Sequence, residues 1–381
     1  MKGVAILGAT GSIGRSALSV LDQHPDRFRL IAITAHRNEE ALEDLVREHR
    51  PSLAVLSDVG SSKGEAGAGR VDGAEGLIEA ATHPEVDIVV NALVGAAGLE
   101  PTVAALRAGK RVALANKESL VCGGSLVLEA ARRGGGELIP VDSEHSAILQ
   151  CLEGSSRRSV ERLVLTASGG PFRTLDPEQL ASVTPGDALR HPTWEMGAKV
   201  TVDSATLANK ALEVIEAHFL FGIGYDRIDA VVHPQSIVHS MVEFVDGSVL
   251  AQMGFPTMEI PVLYALTYPD RLPFRSRRFD PVEAGSLTFE RIREGVFPAF
   301  SLGVRAGRAG GAHPAVFNAA NEVAVDAFLQ GRIGFLDVGS AIGNALDRWR
   351  GADVVDVESV LEVDRWARAT TTTFIERHAH C

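Results

Sequence analysis

A short apolar strand that runs straight into a glycine-rich turn constrains the fold of this chain more than any other feature. Residues 3–14 read GVAILGATGSIG, and a helix-like stretch, RSALSVLDQH, follows them. Glycine at positions 8, 11 and 14 allows a tight turn that brings backbone amides and the positive end of the helix dipole to a pyrophosphate. The pattern therefore predicts a dinucleotide-binding unit.

The residues after the second predicted strand bear on the choice of dinucleotide. In NAD-binding folds this position usually carries an acid that binds the ribose hydroxyls. Here residues 30–35 lead instead into His36, Arg37 and Asn38. A guanidinium would bind a 2′-phosphate, with no carboxylate there to repel it, which favours NADPH over NADH. The alternative is a solvated turn in which Asn38 caps the next helix, and the two interpretations are compatible.

Strand-like runs alternate with helix-like stretches through the first part of the chain, at 53–56, 86–91, 111–115 and 138–141. This alternation predicts an α/β fold with a doubly wound, parallel, Rossmann-type sheet, whose ligands lie beyond the carboxyl ends of the strands. Asn116, Lys117 and Glu118 directly follow one strand, and we interpret them as cofactor or substrate contacts rather than a solvated turn. Residues 60–73, rich in Gly, Ser and Ala, are predicted to form a flexible loop.

A helix is predicted in the segment TVDSATLANKALEVIEAH, because its apolar residues recur at helical spacing. We expect Ser204 to be its N-cap and Gly222 to end it. Asn209, Lys210 and Glu213 lie three and four residues apart, so they share the face opposite the apolar one.

Three carboxylates suggest a site for a divalent cation. Asp142 and Glu144 follow a predicted strand two residues apart, so their side chains would point to one side of the pleat. With Glu213 they would supply hard oxygen ligands, which suit Mg²⁺ or Mn²⁺ rather than zinc. The alternatives are a solvated loop for the first two residues and a surface ion pair with Lys210 for the third.

The pattern changes from residue 160 onward. Ser168 and two glycines follow a strand-like run, where they could form a nest for a phosphate. The segment after them is long, rich in proline and weakly periodic, which predicts a lid over 168–199. His191 in this lid is a candidate phosphate ligand, and the ring of Trp194 needs a partner such as the cofactor or the substrate.

Asp246 and Gly247 indicate a hairpin, so the sheet of the middle region is partly antiparallel. The terminal His378, His380 and Cys381 are interpreted as a frayed tail rather than a metal tract.

Four segments are predicted in the chain. They are an NADPH-binding domain (1–142), a catalytic and metal-binding domain (143–268), a linker (269–289) and a C-terminal helical bundle (290–381).

Composition excludes several classes of protein. The chain has 381 residues, of which 45% are hydrophobic and 23% charged, as expected for a folded protein of two or three domains. A net charge of −12 without a dense Lys/Arg run argues against a nucleic-acid partner. No apolar run is long enough to cross a membrane, and three cysteines without metal spacing fit a reducing cytoplasm. We therefore expect a cytoplasmic protein with neither a membrane nor a nucleic-acid partner.

Eight motifs together resemble the 1-deoxy-D-xylulose 5-phosphate reductoisomerase family. They extend over essentially the whole chain and read GATGSIG, NKESLV, PVDSEHSAI, TASGGPF, HPTWEMG, VDSATLANKALEVIEA, HPQSIVHSMVEF and FNAANEVAVDAF. The resemblance implies an NADPH-dependent oxidoreductase that isomerises and reduces a sugar phosphate to 2-C-methyl-D-erythritol 4-phosphate, in non-mevalonate isoprenoid biosynthesis. It also implies a homodimer and one divalent metal, Mg²⁺ or Mn²⁺, with Co²⁺ as a third candidate.

The resemblance further assigns roles to residues at matching positions. It implies the metal ligands Asp142, Glu144 and Glu213. The implied substrate ligands are Lys117, Ser143, Glu144, Ser168, His191, Trp194, Ser204, Asn209, Lys210 and Glu213. The implied cofactor contacts are Thr10, Gly11, Ser12, Ile13, His36, Arg37, Asn38, Asn116, Glu118 and Gly197. His36 departs from the family pattern, in which glycine is common. Glu144, Lys117 and His191 would be the catalytic residues, with Glu144 relaying a proton.

The implied chemistry has two stages and leaves two alternatives. A metal acting as a Lewis acid would stabilise an enediolate while a carbon–carbon bond breaks, and NADPH would then reduce an aldehyde. Semialdehyde dehydrogenases also open with a GATG-type turn, but they would need Cys122 or Cys151 as an activated nucleophile. A non-catalytic NADP-binding sensor or scaffold is the other alternative.

Overall fold

The structure, a computed structural model, describes residues 1–58, 60, 70–194 and 196–378. It contains two compact units. The first comprises residues 1–119, 125–146 and 257–276, and the second comprises the rest of the described chain. Most of the loop predicted for 60–73, together with the terminal His380 and Cys381, lies outside the described residues.

The described elements are twelve strands and sixteen α-helices. The strands are β1 (Lys2–Leu7), β2 (Phe28–Ala35), β3 (Leu53–Leu56), β4 (Arg70–Asp72), β5 (Ile88–Asn91), β6 (Arg111–Leu114), β7 (Glu137–Pro140), β8 (Val160–Ala167), β9 (Ile228–Val232), β10 (Val238–Phe244), β11 (Val249–Met253) and β12 (Glu290–Arg291). The helices are α1 (Ser12–Gln23), α2 (Glu39–His49), α3 (Glu75–Thr82), α4 (Leu99–Arg107), α5 (Lys117–Gly134), α6 (Ser143–Leu152), α7 (Pro177–Leu180), α8 (Pro185–Ala188), α9 (Ala198–Thr206), α10 (Ala208–Phe221), α11 (Glu259–Thr267), α12 (Pro281–Ala284), α13 (Pro298–Ala309), α14 (His313–Leu329), α15 (Phe335–Arg348) and α16 (Val357–His378).

The first unit is built on a seven-stranded sheet in the order β4-β3-β2-β1-β5-β6-β7. Every neighbouring pair is parallel. Strands covered on both faces must be apolar throughout, and Val4 to Leu7 in β1 are fully buried. The predicted Rossmann-type sheet is confirmed. One detail of the loop prediction is wrong, because residues 70–72 form β4 at the edge of this sheet.

Residues 257–276 lie in the first unit, although the sequence analysis placed them in the catalytic domain and the linker. Their helix, α11, is apolar and buried from Pro261 to Leu266. Ser19 Oγ of α1 donates a hydrogen bond to Glu259 at 2.7 Å, and Arg111 donates one to the carbonyl of Leu266 at 3.4 Å. A helix that is apolar on all faces must be buried, but its sequence does not indicate which unit covers it.

The second unit contains a mixed five-stranded sheet in the order β11-β10-β8-β9-β12. Strands β8 and β9 are parallel, whereas β10 is antiparallel to both β8 and β11. The hairpin between β10 and β11 turns at Gly247, whose φ of +84° is a left-handed conformation that glycine adopts readily. The predicted hairpin and the partly antiparallel sheet are confirmed.

Helices α13 to α16 form the last part of the second unit. The centre of α14 is buried on all sides and carries the large apolar side chains Phe317 and Phe328. Helices α13, α15 and α16 all pack against α14. The predicted helical character of this region is confirmed. Among the helices of the described residues, none has the length and apolarity required to cross a bilayer.

A single residue separates α9 from α10. Leu207 has a φ of +61° and ends one helix while it begins the next. The left-handed conformation of a non-glycine residue costs about 1–2 kcal/mol, yet Leu207 is only 3% exposed, so burial of its side chain offsets this cost. The prediction of Ser204 as an N-cap is wrong, because Ser204 lies inside α9.

Candidate functional site

The glycine-rich turn joins β1 to the amino terminus of α1. Gly8 has a φ of +86°, and its amide donates to the hydroxyl of Thr34 at 2.9 Å. A Cβ on Gly14 would lie 2.4 Å from the carbonyl oxygen of Gly8, so only glycine fits this approach. Gly11 and Ser12 at the helix start are exposed. The turn therefore leaves the helix amino terminus open to an anionic group, which fits a dinucleotide pyrophosphate.

At the carboxyl end of β2, Arg37 meets a carboxylate that the sequence analysis did not anticipate. Its Nε donates a hydrogen bond to Asp58 Oδ2 at 2.7 Å. This hydrogen bond lowers the pKa of Asp58 below its usual value. The expectation that no carboxylate stands beside Arg37 is therefore wrong. Asn38 accepts a hydrogen bond from the amide of Ala41 at 3.0 Å, which confirms its predicted role as the cap of α2.

At the carboxyl end of β6, Asn116 caps α5 and closes the neighbouring loop. Its Oδ1 accepts the amide of Ser119 at 2.9 Å. Its Nδ2 donates to the carbonyls of Leu93 and Gly95, both at 3.0 Å, and to Glu118 at 2.9 Å. Asn116 and Glu118 are almost completely buried. The first residue of α5, Lys117, instead forms an ion pair with the carboxylate of Asp142.

Asp142, Ser143 and Glu144 follow β7 at the same edge of the first unit. The strand ends at Pro140 and α6 begins at Ser143, so Asp142 and Glu144 are not both on a pleated strand. The pleat argument is therefore wrong. Asp142 Oδ1 accepts the amide of Glu144 at 3.2 Å, as an N-cap does, and Ser143 Oγ donates to Glu144. The turn still presents two carboxylates, of which Asp142 is buried.

In the second unit, α10 carries a buried polar cluster. Lys210 and Glu213 are 3% and 1% exposed and form an ion pair, and Asn209 donates to the other oxygen of Glu213 at 2.5 Å. The predicted grouping of these side chains is confirmed, but the expectation of a polar face opposite the core is wrong. Gly222 ends α10 in a left-handed conformation, as predicted.

A second polar cluster in this unit joins the end of β8, the segment before α9, and α9 itself. Ser168 Oγ lies 2.9 Å from His191 Nε2, which lies 3.2 Å from the hydroxyl of Ser204. The amides of Thr193 and Trp194 donate to His191 Nδ1 at 3.1 and 2.9 Å. Because Nδ1 accepts these hydrogen bonds, the ring proton of the neutral imidazole lies on Nε2, facing the two hydroxyls.

The pKa of His191 predicts a pH dependence. Burial lowers it from the usual 6.5, so the folded protein resists protonation that the unfolded chain undergoes. Stability contributed by the neutral imidazole is therefore present above pH 6.5 and decreases as the pH falls through the interval below it. We expect NMR of the histidine ring to show titration below that value. Unfolding measured along the same pH series should depend less on pH in His191→Asn, and an unshifted titration would contradict this assignment.

The predicted lid is not a structureless loop. It contains the short helices α7 and α8, each starting with a capping box and proline. Trp194 is half-buried, with its ring centroid 6.4 Å from that of His239 on β10. Gly197 is exposed and is the N-cap of α9, while Met196 just before it is partly exposed.

The cysteines do not suit a nucleophilic role. Cys122 and Cys151 are both buried. Burial raises the pKa of Cys151 to about 11, so its thiolate is scarce at neutral pH. A catalytic cysteine needs a lowered pKa and access to substrate. The semialdehyde dehydrogenase alternative is therefore not favoured.

Sequence reasoning missed three residues that hold parts of the candidate site or its helices in place. Thr34 fixes the glycine turn, Asp58 binds Arg37, and the buried Asp203 on α9 binds Lys199 Nζ at 3.0 Å. Asp58 could have been found, because it follows β3 at the same offset at which Arg37 follows β2. Asp203 follows Lys199 by four residues, a helical spacing that can be read from the sequence. Thr34 carries no comparable signal, since its partner is set by the tertiary fold.

Models of one known protein family match most of the chain. The family model described as 1-deoxy-D-xylulose 5-phosphate reductoisomerase matches residues 4–124, and models of its C-terminal domains match 138–221 and 253–370. A Bacillus cereus enzyme of that name is 50% identical over 380 residues, covering 98% of this chain and 99% of the relative. The chain belongs to the 1-deoxy-D-xylulose 5-phosphate reductoisomerase family.

Other members of the reductoisomerase family agree in sequence and in structure. The Symbiobacterium thermophilum relative is 51% identical over 96% of this chain and 97% of its own. The solved reductoisomerase from Zymomonas mobilis in complex with NADPH has a TM-score of 0.91 at 43% identity, covering 98% and 99% of the two chains. A reductoisomerase in complex with NADPH, fosmidomycin and magnesium gives 0.92 at 39% identity, covering 99% and 98%. The chain is thus an enzyme that converts 1-deoxy-D-xylulose 5-phosphate.

Proposed function

We propose that this reductoisomerase uses NADPH and one divalent metal ion to isomerise and reduce 1-deoxy-D-xylulose 5-phosphate to 2-C-methyl-D-erythritol 4-phosphate. The observation that carries the proposal is the 50% sequence identity to a reductoisomerase over 98% of the chain. Solved relatives of similar length are described as complexes with NADPH and with magnesium. The open glycine turn and the carboxylates after β7 provide donors of the right chemistry for both groups.

The cofactor site we propose lies along the carboxyl edge of the first sheet. The turn of Thr10, Gly11, Ser12 and Ile13 would hold the pyrophosphate, because α1 starts there with its amides open to solvent. Arg37 would bind the 2′-phosphate, flanked by His36 and Asn38. The further contacts we propose are Asn116, Glu118 and Gly197.

The metal ligands we propose are Asp142, Glu144 and Glu213. Their carboxylate oxygens match the hard ligands that Mg²⁺ and Mn²⁺ prefer, and Co²⁺ also accepts such a set. An ammonium group lies against two of them, Lys117 on Asp142 and Lys210 on Glu213. The carboxylates of Asp142 and Glu213 are therefore already in contact with positive charge, as they would be with a cation.

The substrate phosphate, in this proposal, binds to hydroxyl, imidazole and amine donors of the second unit. Ser168, His191 and Ser204 are within hydrogen-bonding distance of one another, so an anion could replace their mutual hydrogen bonds. The other ligands we propose are Asn209 and Lys210 on α10, Trp194 in the lid, and Lys117 and Ser143 beside the carboxylates. The lid over 168–199 would close over the bound substrate and exclude water.

The proposed reaction divides between the bound groups and the side chains. When bound, the metal supplies a Lewis acid and NADPH supplies a hydride. Glu144 takes the proton of a substrate hydroxyl as the carbon–carbon bond breaks and returns it later. Lys117 donates hydrogen bonds to the substrate oxygens, which limits the build-up of negative charge. The neutral ring of His191 carries its proton on Nε2, and we propose that this N–H binds the phosphate.

The proposal is tested by following NADPH absorbance with 1-deoxy-D-xylulose 5-phosphate as substrate. We expect turnover with Mg²⁺ or Mn²⁺ and its loss after extraction with EDTA, because the Lewis acid contributes several kcal/mol to catalysis. Adding the metal back should restore the rate. Full activity in thoroughly metal-stripped protein would contradict the metal role, and absence of turnover under all conditions would contradict the function.

We also propose a homodimer in a reducing cytoplasm. Strand β11 is an edge of the second sheet, and Val249 and Leu250 on it are 51% and 48% exposed. An apolar sheet edge is suited to pairing with a second chain. The buried thiols Cys122 and Cys151 support the reducing compartment.

The edge of β11 yields a prediction for the dimer. Leu250→Lys should shift the protein to monomer in light scattering at concentrations where the unaltered chain is dimeric, because the charge opposes burial of this edge. Val282→Lys is the matched control, since Val282 on α12 is also an exposed apolar residue. A dimer unaffected by Leu250→Lys would place the interface elsewhere.

A further inference from the structure

The adjacent strands β2 and β3 continue to pair beyond their formal ends. Ala35 pairs with Leu56 at the last position of the two strands. The amide of Ser57 then donates to the carbonyl of Ala35 at 2.9 Å, and the amide of Asp58 donates to the carbonyl of His36 at 3.0 Å. His36 Nδ1 also lies 3.2 Å from Ser57 Oγ. The backbone positions of residues 36 and 58 are therefore fixed relative to each other.

Asp58, whose backbone position is fixed in this way, forms a hydrogen bond with one edge of the Arg37 guanidinium. Asp58 Oδ2 accepts the Nε hydrogen of Arg37 at 2.7 Å, and Asp58 Oδ1 accepts the amide of Gly60 at 3.1 Å. Asp58 is more shielded than Arg37, with side-chain exposures of 28% and 72%. Within the described part of the chain, Nε is the only guanidinium nitrogen of Arg37 that has a hydrogen-bond partner.

We propose that Asp58 is a positioning residue that orients Arg37 for the 2′-phosphate of the cofactor and so contributes to the choice of NADPH over NADH. A guanidinium has a second edge, formed by Nη1 and Nη2, which can bind a phosphate through two parallel hydrogen bonds. Engaging Nε with Asp58 leaves that edge exposed. This inference rests on the proposed use of NADPH, and it adds a residue that follows β3 to a 2′-phosphate site otherwise assigned to residues that follow β2.

Asp58 also has an opposing effect, because its negative charge repels a phosphate. The pair is exposed, so solvent and salt screen this repulsion over about 8 Å at physiological ionic strength. The orientation of the guanidinium is not screened in this way. A long side chain that is already held loses less rotational freedom when the ligand binds, and we therefore infer that the orienting effect is the larger one.

The experiment compares binding of NADPH and NADH by the full chain and its variants, using calorimetry. Asp58→Ala should raise the Kd for NADPH about threefold to tenfold, the range expected from losing the orientation of one long side chain. The Kd for NADH should not change, since NADH lacks the 2′-phosphate. In turnover, KM for NADPH should rise with kcat unchanged. Asp58→Asn keeps an oxygen that can accept from Nε, so it should restore NADPH binding.

The matched control is Glu85→Ala. Glu85 pairs with Arg29 at 2.9 Å at the opposite end of β2, where the two side chains are 51% and 55% exposed. Its removal should change the binding of neither dinucleotide. An unchanged ratio of the two Kd values in Asp58→Ala, tighter NADPH binding, or failure of Asp58→Asn to restore binding would each overturn the inference. If the unaltered protein binds no NADPH, the proposed function fails first, so the two failures are distinguishable.

Discussion

Replacement of Asp142 by Asn is expected to lower kcat by about a thousandfold while leaving the fold intact, since a bound Lewis acid is worth several kcal/mol to the transition state. Asn has the same shape and keeps an oxygen that can cap α6, as Asp142 Oδ1 does for the amide of Glu144. It removes the charge that we propose binds the metal. Turnover is measured with saturating NADPH and substrate, and metal affinity by titration with Mn²⁺.

Two further measurements make the Asp142→Asn result specific. Glu137→Gln on the preceding strand removes an exposed carboxylate that pairs with Arg111, and it should leave turnover and metal affinity unchanged. The thermal midpoint of Asp142→Asn should be compared as well, because the variant also weakens the ion pair with Lys117. Activity within a few-fold of the unaltered enzyme, with Mn²⁺ affinity retained, would show that Asp142 is not a ligand.

Replacement of Lys210 by Met should destabilise the protein by about 3–5 kcal/mol, because it leaves a buried carboxylate without its cation. Lys210 and Glu213 are both almost fully buried, so water cannot compensate for the loss. For a unit of this size the thermal midpoint should fall by roughly 10 °C. Differential scanning calorimetry without added metal measures this effect, because a bound cation would partly replace the ammonium.

The double variant Lys210→Met with Glu213→Met separates charge from packing. An apolar pair of similar volume should regain most of the lost stability, although the enzyme should remain inactive. The control is Arg132→Met, which breaks an exposed ion pair with Glu129 and should leave the midpoint unchanged. If Lys210→Met has the same midpoint as the unaltered protein, the buried pair does not contribute to stability.

Most of the fold could be predicted from the sequence because its determinants are local. The apolar runs of β1 and β3 and the glycines after β1 indicate a buried parallel sheet and its turn directly. The Asp-Gly hairpin of the second sheet is equally local. The placement of α11 could not be predicted, since it depends on which surface an apolar helix covers, and β4 was missed because its three residues border a segment of low apolar content.

Within the candidate site, residue types were easier to predict than their settings. The sequence indicated that Asn209, Lys210 and Glu213 share one helix face, because helical spacing is regular. It did not indicate that this face is buried, since burial depends on elements that are distant in sequence. Asp142 was misjudged for a different reason. Its segment could continue as a strand or start a helix, and the structure shows that it caps one.

The left-handed conformation of Leu207 has a consequence for the phosphate site that we propose in the second unit. The hydroxyl of Ser204 lies three residues before this joint, and the amide and ammonium groups of Asn209 and Lys210 lie two and three residues after it. Rotation about the φ and ψ of Leu207 alone would swing the two sets of donors apart. Because the leucine side chain is anchored in the interior, the spacing between the sets is locked before any ligand arrives. The width of the proposed phosphate site would thereby be set by an aliphatic residue that need not touch the anion.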